Sequence, residues 1–495
     1  MRISLAVFIL LFFFSLNSFA TFSFNKNCED AYYNIISLKF EEGKKILVKE
    51  KLINPKNDLP YYLENYIDCL TLFIGENENN FQRLKHNKEE RLNRIEKGDK
   101  QSPFYFFTQA EIYLQWAVVR MKFKEYASAA YDIRKAYQLL QKNTEKFPSF
   151  KANQKSLGLL HATVGAIPEE YQWVVAIIGM KGTIQQGVDE LNEVINSCKS
   201  TEYNYLKTES IIILAFVQLN FQNHEEDAWE ILNQINYHSC STNSMLCFVY
   251  ADIANRVGKT DKAISILLNK PNGNEYYPFY FLDYLLGVIK LNRLDKDADI
   301  YLQKFVSNFT GKNYIKAAEQ KLAWYYLLRG NIDKYRECMV VCKNKGNNFI
   351  DEDKQAMKEA ETQEIPNAIL LKARMLCDGG YYQKALAQFQ KTSPKDFPTL
   401  RNQFEVTYRV ARIYHELGMT DNAITFYQET LKNAYRSPYY FAANAALQLG
   451  LIYERKKEYE TSRLYYKKCL SLRNHEYQNS LDQKAKAGLN RLGGT

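Results

Sequence analysis

Within one short stretch, His238, Cys240 and Cys247 are side chains of the types that hold zinc. A closed tetrahedral site takes four such ligands, and no fourth follows at a suitable spacing. The other histidines (His86, His161, His224, His415 and His475) are dispersed along the chain. His161 lies on an apolar stretch and reads as a core histidine. The sequence has no HExxH, no phosphate-cradling GxxxxGK[ST] and no GxSxG nucleophile turn. Gly179-x-x-Gly182 lacks the companion residues of a nucleotide loop. These observations predict no catalytic, cofactor or metal site, and a protein that is not an enzyme.

Recognition is the chemistry that remains. Arg374, Tyr408, Arg412, His415 and Arg455 recur at helical spacing in the C-terminal third, with Asn367, Asn444, Leu447 and Leu451 among them. Arginine binds carboxylates through two parallel N–H bonds. A row of such residues suits an acidic or C-terminal peptide. The row exists only if the helices that carry it stack in register.

The register is visible in the spacing. Tyr453, Lys457, Ser462 and Tyr466 each fall 39 positions after Tyr414, Gly418, Ala423 and Tyr427. Tyr414 closes a first helix, Gly418 turns the chain, Ala423 lets a second helix cross closely, and Tyr427 sits on the same face one turn on. This resembles the tetratricopeptide repeat, whose usual period is about 34 residues. The same frame returns with decay at Ala373, Gly380, Tyr382, Ala385 and Phe389. It is also present at Ala323, Tyr326 and Gly330, where Tyr335 replaces the small crossing residue, and at Ala251, Gly258 and Ala263. A further good unit carries Ala117, Tyr126, Ala129 and Ala136, and Ala31, Phe40 and Gly43 begin the series, with Pro55 behind them. Weaker units cover 211–235 and 280–306. The resemblance implies an all-α, right-handed solenoid of about nine helical hairpins with an inner face built for binding.

Residues 156–191 differ from the rest. Two short apolar runs flank Pro168-Glu169-Glu170, and neither is long enough to span a bilayer, which takes about 20 apolar residues. The segment reads as a buried helical hairpin. A second reading gives Trp173, Val174 and Ile177 a lipid or membrane-surface contact. Leu157-Gly158, Pro168, the run Trp173 to Ile178, Gly179-x-x-Gly182, Gly187 and Leu191 resemble the tetratricopeptide repeat protein 39 family, which includes the fungal inclusion-body clearance protein, and the helix pair Glu111 to Leu140 fits the same pattern. That resemblance implies a helical repeat protein with no catalytic centre. Its members are linked to lipid droplets and outer mitochondrial membranes on the cytosolic side, whereas the present chain opens with an export signal.

That signal is Met1-Arg2-Ile3, the apolar run Leu5 to Phe14, and Ser18-Phe19-Ala20. A positive start, a short apolar core and a small-x-small site predict secretion and cleavage after Ala20, giving a periplasmic or secreted protein with possible outer-membrane association. The chain has 495 residues, too many for one ordinary core. Its net charge is +9, or +8 once Arg2 is removed. The charges are mixed in sign along the chain, which excludes the basic stripe that nucleic acids need. Lys88-Glu89-Glu90-Arg91 reads as a solvated helix face. Nine cysteines, an odd number, cannot all pair internally; Cys28–Cys69 and Cys240–Cys247 are the candidate bridges. The expected organisation is a leader (1–20), N-terminal hairpins (21–74), a charged helix and linker (75–103), and a repeat pair with the Gly/Pro hairpin (104–200). Degenerate repeats (201–350) and C-terminal repeats (351–495) complete it.

Overall fold

A computed structural model describes residues 21–167, 179–199, 201–222, 224–362 and 364–493. The fold is all-α, and no strand occurs among the described residues. The leader and its cleavage site lie outside them. The chain packs as two units, one comprising residues up to 253 with 269–279, the other 254–268 with 280 onward.

The first unit contains α1 (Lys26–Ile36), α2 (Phe40–Ile53), α3 (Leu59–Gly75), α4 (Glu78–Leu84), α5 (Asn87–Ile95), α6 (Phe104–Lys122), α7 (Tyr126–Lys146), α8 (Ala152–Gly165), α9 (Ile184–Ser197), α10 (Lys207–Val217), α11 (Glu225–Leu232) and most of α12 (Ser244–Arg256). The second contains α13 (Thr260–Leu268), α14 (Phe281–Asn292), α15 (Ala298–Asn308), α16 (Ile315–Leu327), α17 (Ile332–Asn344), α18 (Asp351–Thr362), α19 (Ala368–Asp378), α20 (Tyr382–Ala387), α21 (Leu400–Glu416), α22 (Thr420–Asn433), α23 (Phe441–Arg455), α24 (Tyr459–Ser471) and α25 (Gln478–Arg491). Successive helices pair as hairpins, as in α1/α2, α6/α7, α14/α15, α16/α17, α21/α22 and α23/α24.

One turn builds most of these hairpins. At Gly418, φ is +72°, its N–H donates to the His415 carbonyl, and the Met419 N–H donates to the Tyr414 carbonyl. The two bonds satisfy carbonyls that the end of α21 would otherwise leave open. The same left-handed residue and bond pair recur at Leu38, Lys124, Gly258, Leu294, Gly330, Gly380 and Lys457. Five positions beyond the turn comes the residue that lets the second helix cross the first. Gly43, Ala129, Tyr335, Ala385, Ala423 and Ser462 occupy that place, and all are buried; after Leu294 the buried small residue is Ala298, one position earlier. Tyr427 and Tyr466 follow four positions later inside the same core. Tyr335 fits because its hydroxyl reaches out of the crossing to Glu359 and the Glu364 carbonyl.

The segment 156–191 folds in its described parts as a close hairpin of α8 on α9. A Cβ on Gly187 would stand 2.3 Å from the Gly158 carbonyl oxygen, and one on Gly182 would stand 2.6 Å from the His161 Cα. The glycines are therefore contact points between two backbones.

Two expectations are corrected. Lys88-Glu89-Glu90-Arg91 is solvated only at Glu89 and Glu90. Lys88 is buried against Asp132 at 2.6 Å, and Arg91 reaches Asp68 at 2.7 Å and the Asn65 side-chain oxygen at 3.1 Å. Arg120 completes the Asp132 pairing at 2.7 Å. The cause is that Leu92 and Ile95 pull α5 onto the core, and a lysine stem packs like an alkyl chain once its ammonium has a partner. Cys28 and Cys69 are not bridged. Both act as small apolar residues, and burial pushes each thiol up to about 12. Cys240 and Cys247 are buried too, and the Cys247 thiol is pushed up to about 12 by burial, with neighbouring Cys240 adding to the effect.

The first unit also encloses a polar knot. Lys155 on α8 donates to Glu111 on α6 at 2.9 Å and to Glu209 on α10 at 3.0 Å. Tyr32 donates to Glu209 at 2.9 Å, Tyr66 to Glu111 at 3.3 Å, and Ser156 also donates to Glu111. Every buried charge here has a partner, which is the condition for tolerating it. The knot ties α1, α3, α6, α8 and α10 together.

Candidate functional site

In the second unit, the first helices of successive hairpins bring a row of cations together. Asn367 caps α19 by accepting the N–H groups of Ile369 and Leu370. The helix then runs to Asp378, and Arg374 lies one turn before it, on the same face. The Arg374 guanidinium is 3.6 Å from Asp378, and Arg412, from α21, is 3.0 Å from the other oxygen of the same carboxylate. Burial works to raise the Asp378 carboxyl, but Arg412, Arg374, Arg409 and Lys321 overrule it and hold it below its ordinary value.

Lys321 extends the row from α16. Its ammonium lies 3.6 Å from the centre of the Trp324 ring, and the Arg374 guanidinium lies 4.9 Å from the same ring. Trp324 is itself fixed, because its indole N–H donates to Glu359 on α18 at 2.8 Å. Glu359 also accepts from Gln320 at 2.6 Å. Lys321 donates to the Gln320 oxygen at 3.0 Å and forms no ion pair among the described residues. Burial, reinforced by Arg374, pushes its ammonium down to about 7.

Further along, Arg409 is buried and held by Glu405 at 2.8 Å. Arg401 pairs with Glu476 through two bonds, at 3.1 and 3.3 Å, and Lys358 joins that carboxylate at 3.2 Å. His415 is lowered by burial, with Arg455 adding to the effect, so the imidazole and the guanidinium of neighbouring hairpins sense each other. Arg455 is exposed, and it lines a surface cavity with Glu454, Lys457, Tyr459, Arg463 and Arg491.

The sequence-derived row is thus partly assembled. Arg374 and Arg412 meet through Asp378, and His415 neighbours Arg455. Tyr408 does not present its ring: it is 5% exposed in the core between Tyr427 and Phe441, and its hydroxyl accepts from Asn444 at 2.8 Å. Leu447 is likewise a core residue. Lys321, Asp378 and Arg409 were not singled out by the spacing. The available signal was a charged residue interrupting the apolar stretches KLAWYYL, RMLCD and YRVARIY. Trp173, Val174 and Ile177 lie outside the described residues. Among the described residues, no group of three His, Cys, Asp or Glu side chains is placed to hold a metal, and no helix is long and apolar enough to cross a membrane.

Comparison with known proteins covers part of this row. Residues 403–475, which carry α21 to α24, match the tetratricopeptide repeat family. No curated protein matches the chain. A solved structure of IFIT1, a monomeric mutant with the capped oligonucleotide m7Gppp-AAAA, aligns at 14% identity over 87% of this chain and 86% of that one. Its TM-score is 0.29, too low to carry any argument about this molecule.

Proposed function

We propose that the protein is a non-enzymatic scaffold of the cell envelope, exported by its leader, whose second unit holds an acidic stretch of a partner polypeptide. Tetratricopeptide repeats are interaction modules, and the repeat match covers α21 to α24, including Arg409, Arg412, His415 and Arg455. The observation that carries the reading is the row on α16, α19 and α21. There Arg374 and Arg412 both approach Asp378, Lys321 and Arg409 add to the positive field around it, and Glu405 pairs with Arg409. Cationic side chains with unspent donors, set beside aromatic rings, favour a partner that brings carboxylates. The finer resemblance of 156–191 to the tetratricopeptide repeat protein 39 family agrees with a scaffold role, and the short apolar run from Leu5 to Phe14 supports export.

In vivo photo-crosslinking tests this directly. A crosslinking amino acid at the exposed Arg455 position should capture a discrete polypeptide, and Arg412→Glu should abolish the capture. Recovery of only uncrosslinked chain at several such positions refutes the scaffold. Fractionation tests the location. A mature N-terminus at Thr21 in the envelope fraction is expected, and an intact leader in the cytosol refutes export.

A further inference from the structure

The cations of the second unit are not equivalent in how their donors are spent. Arg409 is consumed by Glu405, with contacts of 3.0 and 2.8 Å to one oxygen. Arg401 is consumed by Glu476. Arg374, by contrast, has only the 3.6 Å approach to Asp378 and the face of Trp324. Lys321 has three N–H donors and one acceptor, Gln320. Arg412 shares Asp378 with Arg374. Three cationic heads on α16, α19 and α21 therefore converge with donors left over. The side chains of Arg374 and Arg412 are 33% and 34% exposed, so solvent reaches them.

We propose that Lys321, Arg374 and Arg412 form a binding site for a compact oxyanion, a carboxylate or a phosphate. The inference rests on the scaffold reading in one respect: the natural oxyanion would be the partner's acidic group. The physical reason is local. An ammonium set on an indole face, with a guanidinium beside it and a single acceptor, is poorly solvated, and an oxyanion supplies the missing acceptor and the opposing charge. The charges facing Lys321 are Arg374 and Asp378 from α19, and Glu359 and Glu352 from α18. The Glu359 oxygens are taken up by hydrogen bonds from Trp324, Gln320 and Tyr335, and Glu359 acts on the Lys321 ammonium through its charge without pairing with it. Burial and Arg374 push the Lys321 ammonium down to about 7, and an entering anion favours its charged form, so binding at slightly alkaline pH is expected to draw in a proton.

The test is calorimetric titration of the full chain at about pH 7.5, in two buffers that differ in ionisation enthalpy. The probes are inorganic phosphate and a capped hexa-aspartate peptide. The wild-type protein should bind at least one probe and, with the peptide, whose carboxylates are already ionised at this pH, take up roughly half a proton or more, as a group with a pKa near 7 requires. Lys321→Met keeps the alkyl stem on Trp324 and removes the ammonium. It should abolish the proton uptake and weaken binding about tenfold or more, with an unchanged circular dichroism spectrum and melting midpoint to show that it folds. Phosphate binding as tightly as the peptide identifies a site for free anions, and peptide binding alone identifies a polypeptide source; both support the site. Neither probe binding at millimolar concentration overturns it, as does Lys321→Met binding with the same affinity and proton uptake. If the crosslinked partner persists in Lys321→Met while the probes fail to bind, the site is refuted and the scaffold stands. If the probes bind with proton uptake and no partner is captured, the scaffold is refuted and the site stands.

Discussion

The turn that joins the helices makes a quantitative prediction. Gly418 and Lys457 occupy the same place in consecutive hairpins, at φ of +72° and +62°, with the same pair of closing hydrogen bonds. A residue with a Cβ in the left-handed region costs about 1–2 kcal/mol relative to the right-handed one. Glycine escapes that cost but gives back about 0.4–1 kcal/mol through its freer unfolded chain. Lys457→Gly should therefore stabilise its hairpin by about 0.5–1 kcal/mol, and Gly418→Lys should destabilise its own by a similar amount. No steric cost enters, because a Cβ on Gly418 would meet nothing within 4 Å, and Lys457 is exposed. Hydrogen exchange on the intact chain, read by mass spectrometry, resolves each hairpin separately. Peptides from 446–472 should exchange about two- to fivefold more slowly in Lys457→Gly, and peptides from 408–433 should exchange faster in Gly418→Lys by a comparable factor. Faster exchange in Lys457→Gly would refute the conformational argument. A loss above about 3 kcal/mol in Gly418→Lys would show that packing, not backbone conformation, selects the glycine.

Three further outcomes are expected. Gly187→Ala should lower the urea midpoint by the equivalent of about 2 kcal/mol, despite the roughly 1 kcal/mol that alanine gains in a helix, because the new Cβ meets the Gly158 carbonyl. Asp353 is buried while accepting the N–H groups of Tyr314 and Ala317, and burial pushes its carboxyl from 3.8 up to about 6. The native state then binds that proton more tightly than the unfolded chain, so this group's contribution is fully present below about pH 3.8, and about 3 kcal/mol is lost as pH rises through 6. Melting midpoints from pH 4 to 7 should show the wild type losing stability relative to Asp353→Asn as pH rises; a difference between the two that does not change with pH contradicts it. Lys88→Met should cost about 3 kcal/mol in chemical denaturation by leaving the buried Asp132 with Arg120 alone, and an unchanged midpoint would show that the pair is not buried in solution.

Much of the architecture was legible because it is local. A left-handed turn, a small residue five positions on and an aromatic four beyond that are properties of one hairpin. Their 39-residue echo at Tyr414 and Tyr453 was enough to predict stacked helices. A turn without glycine is harder to see, as in the weak unit 280–306, which turns at Leu294, although the units turning at Lys124 and Lys457 were plain from their other positions. Leu38, Lys124 and Leu294 adopt the same left-handed conformation, but nothing in their chemistry announces it. The candidate site was only half visible for a different reason. Helical spacing says which residues share a stripe, and so it found Arg374 and Arg412. It does not say how deep the stripe lies, and so it offered Tyr408 and Leu447 to the surface when both belong to the core.

The amino-acid sequence by itself determined the helical class, the hairpin unit, the lack of recognisable catalytic motifs and the arginines of the C-terminal row, since each follows from residue type and spacing along one chain. Tertiary structure alone decided which charges are buried and who neighbours whom. Lys88 found Asp132, Lys155 found two glutamates, and Lys321 came to lie on Trp324 beside Arg374 with a donor surplus. The physical reason is that charge solvation and pairing depend on distances between separate helices, and those distances are set only when the hairpins pack.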